Sequence, residues 1–183
     1  MGHFGDFLHR LSNWITPREF ARVIDWQPPW DVGAPLPRVV AGEGRVFLLY
    51  LVNESAPAFD SMRPRVIDGR SNEARPFALV EFIDCVAYRF GSPNDEGMAG
   101  HRLYGRGLRH YAAHVVERSS WIGELERHRH SPLGGKETST AYTHYVLCFK
   151  DEIFEAVAES YRTETLQTSF RQATLDMVAR LHE

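Results

Sequence analysis

The sequence predicts an α+β fold: an antiparallel sheet built from two β-hairpins, with helices at both termini and one between the hairpins. Three observations lead there. Phe77 to Phe90 and His144 to Ser160 each read as an apolar, β-rich run broken by a short polar turn. Ser169-Phe170-Arg171-Gln172 is a capping box ahead of an apolar stripe at helical spacing. Near the other end, Phe4, Phe7, Leu8 and Leu11 fall at i, i+3, i+4 and i+7, one face of a short helix.

Taken in order, Thr16-Pro17-Arg18-Glu19 reads as a second helix start, with Phe20, Val23 and Ile24 on the apolar face and Pro28-Pro29 as the stop. Val39 to Ala41 and Arg45 to Val52 read as strands split by Gly42-Glu43-Gly44. Asn53 to Pro76 is polar and proline-containing, a long surface loop. In the first hairpin, Phe77–Phe82 and Cys85–Phe90 are the strands and Ile83-Asp84 the turn. Gly91 to Gly107 is too rich in glycine and proline for regular structure. Ala112 to Glu117 is a short strand, and Ser119-Ser120 caps a helix over Trp121 to Arg129 with Trp121, Ile122 and Leu125 inward. The second hairpin pairs His144–Phe149 with Ile153–Ser160 around Lys150-Asp151-Glu152. The closing helix carries Phe170, Ala173, Met177, Val178 and Leu181 inward.

With 183 residues, one domain over 1–183 is expected, comprising an N-terminal helical segment (1–30), a hairpin core (77–160) and a C-terminal helix (169–182). The 43% hydrophobic and 25% charged content is that of a globular chain able to bury its own core. A net charge of -3 argues against a nucleic-acid partner. The longest apolar run, Val46 to Val52, is too short to span a bilayer, and the first residues lack the pattern of a signal peptide, so no membrane and a cytoplasmic location are expected. Cys85 and Cys148 both sit in apolar runs and read as inert core thiols.

The nine histidines draw attention, because His101, His110, His114, His128, His130 and His144 lie in one stretch. Their spacing matches no metal-ligand signature, so neither metal nor cofactor is expected. There is no GxSxG elbow, Ser119-Ser120 reads as a helix cap, and no catalytic residue can be named. The glycine-rich stretch from Gly97 to Gly107 lacks both phosphate-loop patterns. It gathers His101, Arg102, Tyr104 and Arg106, with Arg109 and His110 just beyond it and Trp121 following, in an otherwise acidic chain. Such a zone suits a carboxylate, a phosphate or an acidic partner surface. Asp151 and Glu155 of the second hairpin complete the candidate ligand- or partner-binding set as its acidic counterpart.

The stretch from Phe77 to about Ser160 carries Ala78-Leu79-Val80-Glu81-Phe82, Tyr88-Arg89-Phe90-Gly91 with Asn94-Asp95-Glu96, and Gly100-His101-Arg102-Leu103-Tyr104. It continues through Ser119-Ser120-Trp121-Ile122 and His144-Tyr145-Val146-Leu147-Cys148-Phe149-Lys150-Asp151 into Phe154-Glu155. In these motifs it resembles a group of small bacterial proteins, some of which resemble immunity proteins of toxin systems. The resemblance implies the hairpins and no catalytic residues, and the chain shows no catalytic signature beside its loop of Arg, His, Tyr and Gly. The expected function is therefore a non-catalytic binding or interaction protein, of which an immunity-type toxin inhibitor is one form. A protein partner or a small anionic ligand would be its target, and a homodimer through a sheet edge is a further expectation. The alternative is a hydrolase-type enzyme using a His/acidic cluster (His101, His110, Asp151 and Glu155), with or without a metal.

Overall fold

The computed structural model describes residues 18–42, 44–53, 72–129 and 141–182. Nine strands and two short helices account for its regular structure: β1 (Phe20–Ile24), β2 (Arg38–Gly42), β3 (Arg45–Leu51), β4 (Arg75–Ile83), β5 (Ala87–Gly91), β6 (Ala113–Glu117), α1 (Ser120–Arg129), β7 (Thr143–Cys148), β8 (Ile153–Ala158), β9 (Ser160–Thr168) and α2 (Phe170–Ala179). The strands form two antiparallel sheets, one ordered β1-β6-β7-β8-β5 and the other β2-β3-β4-β9. The expected single sheet with helices at both ends is thereby overturned in favour of a predominantly β, two-sheet architecture.

Alternation along the strands explains why two sheets form. Val46, Leu48 and Tyr50 of β3 and Ala78, Val80 and Phe82 of β4 turn one way, meeting Tyr145 and Leu147 of β7 and Phe154, Ala156 and Ala158 of β8. Phe47, Leu49, Leu51, Phe77 and Leu79 turn the other way and are covered by Ala173 and Met177 of α2. β3 and β4 are thus apolar on both faces, which a sheet exposed on one side could not accommodate. Trp26 and Trp30 close the inter-sheet core, and the Trp26 indole N–H donates to Tyr50 Oη at 2.9 Å.

The first hairpin does not exist. β4 pairs with β9, and β5 pairs with β8. Asp84, in the left-handed region at φ 49°, marks the corner where the chain leaves one sheet for the other. The returning strand turns the same corner at Glu159, whose N–H donates to the Ile83 carbonyl at 3.0 Å, while the Val86 N–H donates to Val157 at 2.9 Å. The return strand expected over Ile153–Ser160 is accordingly divided between β8 and β9. A strand that changes sheets and a strand that folds back look alike locally, because both need one Asp-tolerant break in an apolar run. The second hairpin is present as β7–β8, in register from Thr143↔Ala158 to Cys148↔Ile153.

The helix expected to start at Thr16-Pro17 and to stop at Pro28-Pro29 is also overturned: Phe20–Ile24 is β1, paired with β6. Glu19 caps a helix, but it is α1, through Ser120. The helix read at Phe4 to Leu11 and most of the long loop, 54–71, lie outside the described residues. Both α1 and α2 begin at the serines the sequence points to, with Ser119 Oγ accepting from the Ile122 N–H and Ser169 Oγ from the Gln172 N–H, each at 3.2 Å. Gln172 does not complete its box; its side chain turns to Asp176 at 2.7 Å.

Candidate functional site

The outer face of the five-stranded sheet is set by the same alternation. Ala21, Val116, Val146, Cys148 and Ile153 make it apolar, and Met98, Leu103 and Leu108 of the β5–β6 connection cover it. His114, His144 and Glu155 interrupt that face, and all three are buried. A carboxylate there must be paired to be tolerated. Glu155, with its side chain only 8% exposed, takes His144 Nε2 at 2.9 Å and Arg102 Nη2 at 3.2 Å on one oxygen. His101 Nε2 lies 3.5 Å from the other oxygen, with Arg89 Nη1 at 4.0 Å. Burial pushes the Glu155 carboxyl up, but hydrogen bonds from His101 and His144 and the charge of Arg102 outweigh it and hold the group well below the usual carboxylate range.

The hydrogen-bond network fixes the histidine tautomers. Ser119 Oγ accepts from the Ile122 N–H, which leaves its own proton for His144 Nδ1 at 2.8 Å; His144 then donates Nε2–H to Glu155. His101 Nδ1 accepts from the Leu103 N–H at 3.2 Å, so its Nε2 carries the proton facing Glu155. His114 Nε2 accepts from the Arg109 N–H at 3.0 Å, and its Nδ1–H faces the Val146 carbonyl at 3.3 Å. Burial pushes both His114 and His144 below the ordinary imidazole value, against opposition from Val146 for the one and Glu155 for the other.

Arg102 joins this centre to Glu19, the residue just before β1. One guanidinium nitrogen holds Glu155 and the other holds Glu19, whose second oxygen accepts from the Ser120 N–H at 2.7 Å and the Ser120 hydroxyl at 2.8 Å. Trp121 stands edge-on to His144 with ring centroids 5.1 Å apart, and the half-exposed Arg89 guanidinium lies 4.0 Å over its ring. A further tie is made by backbone alone. Gly107, at φ 91°, lets the connection approach β1 so closely that a Cβ there would lie 2.1 Å from the Ala21 carbonyl oxygen. Next to it the Ala21 N–H donates to the Arg106 carbonyl at 2.8 Å.

Four of the sequence-derived candidates therefore converge: His101, Arg102, Trp121 and Glu155. Tyr104, Arg106, Arg109 and His110 do not join them; they stand exposed on the outside of the same connection. The side chains of Tyr104, Arg106 and Arg109 make no hydrogen bond or ion pair among the described residues. Asp151 is exposed in the β7–β8 turn and touches none of the cluster. Of the His/acidic set His101, His110, Asp151 and Glu155, only His101 and Glu155 meet in the buried cluster, while His110 and Asp151 are exposed. Glu19, Arg89, His114, Ser119 and His144 are the members sequence reasoning missed. For His144 the signal was present: once His144–Phe149 and the Glu155 strand are paired, the two side chains share a face as diagonal neighbours.

Among the described residues no three His, Cys, Asp or Glu side chains are arranged to hold a metal ion. Both cysteines are buried and free, with burial pushing Cys85 up to about 11 and Cys148 up to about 12, as inert thiols require. A cleft of about 400 Å³ lies between the β2–β3 turn and the 84–86 corner, lined by Gly42, Arg45, Cys85 and Tyr88 among others and by none of the cluster. No helix among the described residues is long and apolar enough to cross a membrane. Compared with known proteins, the chain matches no family model, no curated protein and no solved structure.

Proposed function

We propose that this chain is a binding protein that recognises an acidic protein surface with the outer side of the β5–β6 connection. One observation carries the reading: Tyr104, 53% exposed, stands with Arg106 and Arg109 on a segment fixed from beneath, while these side chains make no hydrogen bond or ion pair among the described residues. The fixing is done by Arg102 on Glu19 and Glu155, by Gly107 against β1, and by the Arg109 N–H on His114. Tyrosine and arginine are the side chains that most often anchor protein interfaces. Presenting them on a fixed segment removes the entropy loss that ordering a mobile loop on binding would entail. Their positive charge suits an acidic partner, a bacterial toxin under an immunity-type role or a smaller anionic ligand.

The test is calorimetric titration of the chain against the products of its flanking genes, in parallel with an Arg106→Glu/Arg109→Glu variant. One flanking product should bind, more tightly at low salt, and the charge reversal should weaken it at least tenfold. No binding by any flanking product, or an affinity indifferent to the reversal, refutes the reading.

A further inference from the structure

Fixing the outer loop uses Glu155 but not the Ser119 hydroxyl on His144 beside it. Ser119 Oγ, His144 and Glu155 form an unbroken hydroxyl–imidazole–carboxylate line, with links of 2.8 and 2.9 Å. We propose that Ser119 is a nucleophile toward ester and thioester carbonyls, with His144 as its general base and Glu155 as the group that orients and stabilises the imidazole. The proposal shares Glu155 with the binding reading, where it anchors the connection through Arg102, but Ser119 and His144 have no part in the outer loop surface.

Three further observations separate this from a plain helix cap. Ser119 sits between a strand end, Glu117, and a helix start, Ser120, and is preceded by Arg118 in the left-handed region at φ 54°. A left-handed conformation at a non-glycine residue is uncommon and carries local strain, here at the residue just before the cap. A strained strand-to-helix turn is the local form that presents a nucleophilic serine in many hydrolases. Secondly, the base is fully oriented: Trp121 abuts the ring, Glu155 holds Nε2–H, and His101 and Arg102 hold Glu155 in turn. Thirdly, the Ser120 N–H, the amide next to the nucleophile, already holds an anionic oxygen. The Glu19 carboxylate occupies it at 2.7 Å, supported by the Ser120 hydroxyl and Arg102. In the resting protein Glu19 stands where the oxyanion of a tetrahedral intermediate would sit.

The step balances within these groups. Ser119 Oγ forms a bond to the carbonyl carbon and its proton passes to His144 Nδ1. The carbonyl electron pair moves onto oxygen, which takes the Ser120 N–H as Glu19 withdraws. Collapse breaks the bond to the leaving alcohol or thiol, which receives the proton from His144. Water then attacks the acyl-serine by the same route, giving the carboxylic acid and restoring Ser119.

A fluorophosphonate probe reads the first half of this chemistry, forming a P–Oγ bond as fluoride leaves and the proton goes to His144. Peptide mass spectrometry should place a single adduct on Ser119, absent in Ser119→Ala, slowed at least tenfold in His144→Gln and accelerated several-fold in Glu19→Gln. In the wild-type protein, whose folding is not in question, the labelling rate should rise with pH and level off below the ordinary imidazole value near 6.5, because burial depresses His144. No adduct on Ser119 in either wild type or Glu19→Gln overturns the proposal. So does a rate that is flat from pH 4 to 8, or one that His144→Gln leaves unchanged. An unlabelled protein that still binds its partner would dismiss the nucleophile and keep the binding function.

Discussion

Replacing Glu155 by glutamine removes one charge and leaves the shape of the side chain intact. At pH 7 the wild-type carboxylate receives His144, Arg102 and His101, with the side chain 8% exposed. The amide offers one acceptor oxygen where the carboxylate offered two, and it aims an N–H₂ group at donors that cannot accept it. Arg102 keeps Glu19, but its other nitrogen loses its charge partner. Breaking a buried ion pair by removing one side costs about 3–5 kcal/mol. For a chain of this length that lowers Tm by about 6–20 °C, at roughly 2–4 °C per kcal/mol. Urea unfolding of both proteins at pH 7 measures the difference. The sign of the pH dependence is fixed as well. The folded carboxyl titrates below its unfolded value, so its contribution is complete above about pH 4.5 and fades as pH falls further. The gap between variant and wild type should therefore be constant from pH 6 to 8 and narrow below 4.5. A loss under about 1 kcal/mol at pH 7, near the worth of an exposed pair, refutes the view that this network fastens the connection to the sheet.

His114 and His144 both titrate lower when folded, so the unfolded chain binds their protons first; the urea midpoint should start to fall as pH drops below about 6.5, and a flat profile down to pH 5 would contradict it. Gly107→Ala combines a left-handed backbone with a clash against Ala21 and should cost about 2–5 kcal/mol by denaturant unfolding. Met177→Ala should cost about 2–5 kcal/mol in the same assay, because α2 covers Phe47 and Leu49 through it. Arg106→Glu with Arg109→Glu should change stability by less than about 0.5 kcal/mol, since both side chains are exposed and make no hydrogen bond or ion pair among the described residues.

What the sequence made legible follows the range of the interactions involved. The β7–β8 hairpin, α1 and α2 are defined by neighbours a few residues apart, and each stands where local pattern puts it. β1 was lost because Phe20, Val23 and Ile24 fit a helical face, while the ladder that makes the segment a strand comes from β6, far along the chain. The β4–β5 corner was read as a hairpin because only the distant β9 and β8 reveal that the two halves belong to different sheets. The candidate site divides in the same way. The composition of Gly97 to Arg109 picked out a segment, but not which of its residues turn inward. His101 and Arg102 were grouped with Arg106 and Arg109, although the first two meet Glu155 and the last two face solvent. Glu19 gave no usable signal, since Ser120 lies 101 residues away in sequence.

The central claim is that the Glu155 network holds the β5–β6 connection rigid so that its outer side chains stand ready to bind. Amide hydrogen exchange tests it most directly. In the wild-type protein the Leu103 and Arg109 N–H groups, held on His101 and His114, should be protected nearly as well as those of β3 and β4. Glu155→Gln should speed exchange at these two amides at least tenfold more than in β3 and β4. Fast exchange at both amides in the wild type, or protection that the substitution leaves unchanged relative to the core strands, would contradict the claim.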